Sequence, residues 1–463
     1  MNLGVGFLCF LVCIATIGCD RVYVHPFYLF SMNNTKSHSC KELEVREQLM
    51  KTFIPISIES HLASESEESL RNRSEEEKNR LGVKFLRDPI HTVGARFYQK
   101  LREICKEDNI FLSPIYIYES LLAFYLGASG TTANNLQTLL EFSSPSIDPN
   151  CTFKIDGRKV LTALRFIINS PFHSKDTEGL LFSKLSCLFS APDIRLSESF
   201  VHQLAFSDVN FYVRAVDFTN PAQAAKYIGA FVEDKTTPRS KSLLVDIEPE
   251  TTLLLATFTQ FRVIIKGASL LKKPQDFWLN SDTAVPVPMM RVTGNFEYKC
   301  DGDPNLIVVK IPVSKSIFLL LLQPTNSSDL GKVEKQYSLT PSVSWMQKLS
   351  ARQIQLTLPK VSLKTIYNLQ ELLVKQKMAD LLGKNATFRL LSNANLTIGK
   401  VINQQHLELS PSGADEAEAP PEENEATETL KVTIDKPFLL AVYEKDSDVL
   451  IYFGRVTNPL KAT

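Results

Sequence analysis

The sequence predicts an α+β fold, because helical and strand-like segments follow one another without the regular alternation that a doubly wound parallel sheet requires. Apolar residues make up 44% of the 463-residue chain and charged residues 22%, which is typical of a soluble globular protein. Helical patterns are found in Ile90–Ile104, Ser120–Leu126, Pro221–Lys235 and Leu369–Leu382. Strand-like runs are Ile307–Val313, Ile317–Leu322, Ile354–Leu358, Leu430–Ile434, Phe438–Tyr443 and Val449–Phe453.

The first nineteen residues predict a secretory signal peptide. They carry no charge, and Leu3–Gly18 is almost wholly apolar but too short and too early for a membrane span. Small residues then precede Asp20, which we expect to be the first residue of the mature chain. No later apolar run approaches the roughly 18 residues that a bilayer requires. We therefore expect a soluble protein that is secreted and does not bind membranes.

A polar tail is expected between this signal and the compact body. Residues 30–87 are poorly periodic, and Glu59–Arg80 is dense in Glu, Ser and Arg. The pattern changes at Asp88, where the first amphipathic helix begins. The body is therefore expected to span residues 88–463.

Removal of the signal leaves five cysteines, so at least one thiol stays unpaired. Cys187 lies in an apolar, strand-like run and is expected to be a buried, inert thiol. Cys40 lies in the polar tail, and Cys151 lies in a glycosylation triplet, so both should be accessible. The preferred disulfide is Cys40–Cys151, with Cys105 and Cys300 as rival partners.

Six Asn-x-Ser/Thr triplets are candidate glycosylation sites in a secreted chain. If glycans are attached, these segments lie at the surface. The sites are Asn33, Asn72, Asn150, Asn326, Asn385 and Asn395.

Chemistry-bearing patterns are absent from the sequence. Basic and acidic residues balance at 51 each, which argues against nucleic-acid binding. The histidines form no pair at metal-ligand spacing, and neither a nucleophile elbow nor a phosphate-binding glycine loop occurs. We expect no catalytic residue, no metal and no cofactor.

Three ordered motifs in the body resemble the serpin family. Asn109–Pro114 followed by Leu126–Ala128 is similar to its N-x-F-x-S-P and L-G-A stretch, and Val285–Met290 to its V-x-V-P-M-M segment. Lys436–Phe438 and Phe453–Pro459 resemble its C-terminal signature. The resemblance covers about residues 88–463. It implies three β-sheets, eight or nine helices and a reactive-centre loop near residues 402–430, to which the sequence before residue 88 adds an N-terminal extended tail.

The predicted mature N-terminus resembles the angiotensin peptide hormones. Val24 and Tyr28 stand where the mammalian peptides carry Ile and His. Pro26 disfavours a helix, and the β-branched and aromatic residues favour an extended chain, the form that an aspartic protease cleft binds. The hormone residues would be Asp20, Arg21, Val22, Tyr23, Val24, His25, Pro26 and Phe27.

The resemblance implies two cleavages and three partners for this segment. Renin, an aspartic protease, would cut between Leu29 and Phe30 to release a vasoactive decapeptide that regulates blood pressure and fluid balance. A dipeptidyl carboxypeptidase would then cut between Phe27 and Tyr28. The product would act on an angiotensin receptor. The body would carry and present the peptide.

The loop departs from that of an inhibitory serpin, which inserts its cleaved loop into a sheet as a middle strand. Alignment with the family hinge places four residues on the face that would meet the core: Ala414, Glu416, Glu418 and Pro420. Burying the two carboxylates costs several kcal/mol, and Pro420 lacks the N–H that a central strand donates. The family's F-x-G-x-W reads Phe261-Arg-Val-Ile-Ile265, and its His beneath the inserting strand aligns approximately with Asn403.

The predicted function is therefore that of a non-inhibitory serpin acting as a hormone precursor and not as an enzyme. A serine protease inhibitor is the first alternative. A carrier of a small molecule is the second.

Overall fold

The computed structural model gives the fold of most of the body and of short pieces of the tail. The described residues are 23–24, 52–53, 57–59, 72–142, 154–155, 157–169, 179–205, 210–236, 246–301, 305–339, 345–412 and 429–461.

Eight α-helices lie in the described part of the chain. They are α1 (Asn72–Ile104), α2 (Pro114–Gly127), α3 (Gly130–Leu139), α4 (Gly157–Asn169), α5 (Glu198–Ala205), α6 (Pro221–Lys235), α7 (Leu330–Leu339) and α8 (Leu369–Lys375). At the start of α2, proline occupies the first helical position and the Ser113 hydroxyl accepts a hydrogen bond from the backbone N–H of Tyr116.

Three helix predictions differ from the structure in extent. The helix expected over Ser120–Leu126 is longer and begins at Pro114. The helix expected over Leu369–Leu382 ends at Lys375, because Lys377 takes a left-handed conformation with φ 60° and a separate 3-10 turn follows over Ala379–Leu381. The helix at the start of the body is 33 residues long and begins at Asn72. It therefore runs through the expected boundary at residues 87 and 88, and the division of the chain there stays a prediction.

The strands number twenty-one in the same residues. The first twelve are β1 (Tyr23–Val24), β2 (Thr52–Phe53), β3 (Ser57–Glu59), β4 (Ile110–Leu112), β5 (Lys154–Ile155), β6 (Leu180–Ser190), β7 (Leu196–Ser197), β8 (Phe211–Ala215), β9 (Leu253–Ile265), β10 (Ser269–Leu270), β11 (Gln275–Trp278) and β12 (Ala284–Val287). The rest are β13 (Met289–Asp301), β14 (Leu306–Pro312), β15 (Ile317–Pro324), β16 (Ser350–Pro359), β17 (Val361–Asn368), β18 (Ile398–Pro411), β19 (Leu430–Thr433), β20 (Phe438–Glu444) and β21 (Leu450–Val456).

These strands form two large sheets and three short strand pairs. The larger ladder has the order β19-β16-β13-β14-β15-β20-β21-β4, with β10 on β13. This ladder divides into two arms along β13. In one arm β16 pairs with Met289–Tyr298, and in the other β14 pairs with Glu297–Asp301. The second sheet has the order β17-β18-β9-β6-β8-β3. The two arms of the first ladder and this second sheet give the three sheets expected, so the α+β prediction is confirmed.

The C-terminal strand β21 is fastened by a buried ionic cluster. The Glu334 carboxylate on α7 is 3% exposed and lies 3.1 Å from the Arg455 guanidinium of β21. It also accepts a 2.5 Å hydrogen bond from the Tyr98 hydroxyl on α1. Arg455 in turn donates to the backbone carbonyls of Cys105 and Asp108. One carboxylate and one guanidinium therefore join α1 and α7 to the last strand of the body, β21.

The side chain of Asn109 holds the last residues of the body. Its amide nitrogen donates to the carbonyls of Asn458 and Lys461, and its amide oxygen accepts from the N–H groups of Thr457 and Asn458. Asn109 is 2% exposed, so these bonds satisfy a buried polar group.

A search of the helices in the described residues found none that is long and apolar enough to cross a membrane.

Candidate functional site

Two central strands of the six-stranded sheet, β9 and β18, define where an inserted loop would have to enter. They are parallel neighbours, paired from Lys400 opposite Leu254 to Pro411 opposite Ile265. The pairing is continuous over this length, so the sheet is closed at the seam between β9 and β18. We call this line of pairing the seam.

Polar side chains cross the seam on the outer face of the sheet. Arg262 of β9 lies 3.3 Å from the Glu408 carboxylate of β18 and 3.4 Å from the Ser410 hydroxyl. Beyond the strand, the Ser412 hydroxyl accepts from the N–H of Gly267 at 3.0 Å and donates to the carbonyl of Ala268. The chain is thus held to the end of β9 as far as Ser412. Residues 413–428, which follow, carry seven acidic residues and no Lys or Arg, and we call them the acidic loop.

Asn403 lies beneath the seam, on the core side of the sheet. It is 1% exposed, and neither its amide oxygen nor its amide nitrogen has a hydrogen-bond partner among the described residues. The nearby Gln405 amide donates to the Tyr367 hydroxyl at 2.8 Å, and burial raises the pKa of Tyr367. Gln405 and Tyr367 therefore form a polar pair on the side of the sheet where Leu407 and Leu409 are also buried.

His406 lies on the outer face of β18, half-buried, with its Nε2 3.1 Å from the Ser362 hydroxyl. Burial lowers the pKa of His406, against a smaller raising effect of Glu408, so the imidazole is neutral near pH 7. A serine and a histidine in contact are two parts of a nucleophilic site. Because both side chains lie on the outer face of the sheet, we interpret this contact as a surface hydrogen bond and not as a nucleophilic site.

Of the loop expected near residues 402–430, residues 413–428 lie outside the described residues, whereas 402–411 belong to β18 and Leu430 begins β19. Ala414, Glu416, Glu418 and Pro420, the residues on which the hinge argument depends, fall in this range. The chain resumes before β19, which pairs parallel with β16, Leu430 opposite Ile354.

A short parallel strand pair places part of the hormone-like segment on the body. In β1, Tyr23 lies opposite Lys154 and Val24 lies opposite Ile155 of β5. The other residues of the segment, the bond between Leu29 and Phe30, and both Cys40 and Cys151 lie outside the described residues. Sequence reasoning did not find β5, because a run of two residues has no periodicity to detect.

The tail meets the body at two further places. β2 pairs antiparallel with β7, Thr52 opposite Ser197, and β3 pairs antiparallel with β8, Ser57 opposite Arg214. β3 is the outermost strand of the six-stranded sheet.

The structure assigns no disulfide to the cysteines that it describes, which are Cys105, Cys187 and Cys300. Cys187 is fully buried, as expected for an inert thiol, and burial raises the pKa of Cys105. Among the residues that the structure describes, no group of three or more His, Cys, Asp or Glu side chains could hold a metal ion.

Three of the six candidate glycosylation sites are exposed in the described structure: Asn326, Asn385 and Asn395. Asn72 is the first residue of α1, while Asn33 and Asn150 lie outside the described residues. The exposed positions have the accessibility that a glycan needs, and glycosylation stays a prediction.

Comparison with known proteins gives matches along the whole chain. The family model for serpins, described as serine protease inhibitors, matches residues 89–459. Bovine angiotensinogen (Bos taurus) is 34% identical over 100% of this chain and 99% of its own. Human angiotensinogen (Homo sapiens) is 32% identical over 98% of this chain and 97% of its own. The solved structure of human thyroxine-binding globulin superposes with a TM-score of 0.70 at 22% identity, over 82% of this chain and all of that one.

Proposed function

The chain belongs to the serpin family and matches angiotensinogens along its whole length, and from this premise we propose that it is a secreted precursor of a peptide hormone. Renin cuts it between Leu29 and Phe30, and a dipeptidyl carboxypeptidase shortens the product for an angiotensin receptor. The observation that carries the proposal is the full-length similarity together with the ten residues Asp20–Leu29 at the predicted mature N-terminus.

The pairing of β1 with β5 supports a presenting role for the body. Tyr23 and Val24 are extended and hydrogen-bonded to the body through their backbone. Leu29 follows Val24 by five positions, which span at most roughly 17 Å of extended chain. The scissile bond is therefore tethered within about that distance of the strand pair between β1 and β5.

Incubation with renin tests this function directly. The mature chain should release one peptide whose mass is that of Asp20–Leu29 and leave a body that starts at Phe30. Mass spectrometry of the released peptide and N-terminal sequencing of the body measure both ends. A cut at any other bond, or no cut under conditions where a synthetic peptide of residues 20–36 is cleaved, would rule out the assignment.

The serpin body does not inhibit proteases in this proposal. The chemistry of the loop supports a loop that stays outside the sheet, because Glu416 and Glu418 would be buried without partners and Pro420 lacks the N–H that a central strand donates. The two alternative functions can be distinguished from this one by experiment. A protease inhibitor would form a covalent complex with a serine protease, and a carrier would bind a small apolar ligand.

Cleavage of the acidic loop should leave the melting temperature of the protein nearly unchanged. An inserting serpin gains a strand when its loop is cut, whereas this loop would have to bury Glu416 and Glu418 without partners. Differential scanning calorimetry before and after a nick between residues 413 and 428 measures the effect, with an inhibitory serpin nicked in the same way as the positive control. A rise of tens of degrees would show that the loop inserts.

Replacing Cys40 with serine should change the rate of renin cleavage but shift thermal unfolding little. Cys40 lies ten positions after Phe30, and Cys151 lies three positions before β5. The predicted disulfide would therefore connect the tail to the body close to the scissile bond, and its effect should be local to that segment. Non-reducing peptide mapping identifies the pairing, and Cys300→Ser is the matched control. A Cys40 peptide joined to Cys105 or Cys300 would contradict the prediction.

A further inference from the structure

A cavity of about 770 Å³ opens on the side of the body where α1, α3 and the turn after α8 meet. Its floor is apolar, since Leu139, Phe142 and Leu381 are each at most 5% exposed. The other lining residues are mostly polar or charged: Arg96, Asn135, Thr138, Glu141, Lys377, Met378 and Asp380. Binding sites for small ligands have this volume and this combination of an apolar floor with a few polar groups.

Two helices, α3 and α8, end at this cavity in the same backbone motif. The N–H of Phe142 donates to the carbonyl five positions before it, and so does the N–H of Met378. This is the Schellman motif, in which the residue with a left-handed backbone is usually glycine. Here that residue is Glu141 after α3, with φ 65°, and Lys377 after α8, with φ 60°.

These two left-handed residues cost the fold stability. A side chain in this backbone conformation is strained, and strained residues are concentrated at functional sites. Five residues other than glycine have a positive φ in the described part of the chain, and two of them, Glu141 and Lys377, line this one cavity. Both carry a charge, so we infer that the two side chains are used there.

The charged groups of the rim leave one cation and one anion for a ligand. The Arg96 guanidinium of α1 already lies 2.5 Å from the Glu141 carboxylate. Lys377 and Asp380 are exposed, and neither forms an ion pair with another residue that the structure describes. A ligand that matches this rim carries an anionic group for Lys377, a cationic group for Asp380 and an apolar body for the floor.

We propose that this cavity binds a short apolar peptide with free termini. The terminal carboxylate would pair with Lys377 and the terminal ammonium with Asp380, while the apolar side chains cover the floor and remove it from water. The volume is that of a site for a drug-sized molecule, which favours a few residues over a single amino acid. None of the lining residues belongs to the seam, to β1 or to β5, so this proposal does not depend on the hormone-precursor function.

Isothermal titration calorimetry of the mature chain with the tripeptide leucyl-phenylalanyl-leucine tests the proposal. We expect saturable binding of one peptide per chain. The N-acetylated and the C-amidated forms of the peptide should each bind at least about fivefold more weakly, because each loses one ionic contact. Failure of the free tripeptide to bind would overturn the proposal, and so would equally tight binding of a peptide capped at both ends.

Lys377→Gly separates binding from folding. Glycine is the usual residue in this conformation, so the variant should melt at or above the temperature of the parent chain, while its affinity for the peptide falls at least about fivefold. Lys348→Gly is the matched control, since Lys348 is also exposed, has φ 61° and does not line the cavity. It should leave the affinity unchanged. A Lys377→Gly variant that binds as tightly as the parent would contradict the proposal.

Asp380→Asn tests the second ionic contact. It should weaken binding of the free peptide at least about fivefold and leave binding of the N-acetylated peptide unchanged, because that peptide has no ammonium group to pair with Asp380. Equal weakening of both peptides would show that Asp380 does not recognise the ammonium group.

Discussion

Replacing Leu29 with aspartate should reduce the release of the decapeptide by renin at least about 100-fold, because a carboxylate entering an apolar pocket without a partner costs several kcal/mol and each 1.4 kcal/mol is tenfold. The loss should appear in kcat/KM measured by the mass-resolved peptide product. The variant should fold normally, since Leu29 precedes the predicted body of residues 88–463 in the sequence.

Two matched variants separate pocket chemistry from general effects of the substitution. Leu29→Met keeps an apolar side chain of similar volume and should be cut at a rate close to that of the parent. Leu460→Asp places the same carboxylate at an exposed position of the body, where leucine is 53% exposed, and should leave cleavage unchanged. If Leu29→Asp is cut at the same bond with the parent's efficiency, Leu29 does not occupy an apolar subsite and the assignment fails.

Replacing Glu334 with alanine should lower the free energy of unfolding by about 3–5 kcal/mol, because the Arg455 guanidinium would be left charged and buried. The Arg455 side chain is 4% exposed and the Glu334 side chain 3%, so water cannot replace the carboxylate. The Tyr98 hydroxyl would lose its acceptor at the same time. Urea unfolding followed by circular dichroism measures the change.

Glu297→Ala is the control for this prediction. Its carboxylate pairs with Lys310 at 3.1 Å, but the Glu297 side chain is 49% exposed, and such surface pairs contribute at most about 1 kcal/mol. A Glu334→Ala variant as stable as Glu297→Ala would mean that the ionic cluster between α1, α7 and β21 adds no stability.

Local elements were predicted well where one residue pattern decides the structure. α6 follows the predicted Pro221–Lys235, and the runs Phe438–Tyr443 and Val449–Phe453 correspond to β20 and β21. The end of α8 was missed, because Lys377 adopts a backbone conformation that the sequence does not reveal in a residue other than glycine.

Long-range features of the site could not be predicted from pattern alone. Pairing of β9 with β18 depends on segments more than a hundred positions apart, and only the resemblance to serpins implied that a sheet would lie there. The burial of Glu334 gave no signal, since a carboxylate on an amphipathic helix normally faces water. The strand pairs β1–β5 and β3–β8 are too short to have a pattern.

The place of β20 and β21 within the larger ladder determines when the protein can fold. They are the penultimate and last strands of the chain, yet they lie inside the sheet, with β15 on one side and β4 on the other. Among the described strands β4 pairs only with β21, so this pairing cannot form until the ribosome has made nearly the whole chain. Contacts between segments this distant in sequence form slowly. Until they form, unpaired apolar strands expose surface that promotes aggregation. A chain truncated before Leu450 would leave β4 without its strand partner and β20 paired only with β15, so its sheet would stay incomplete.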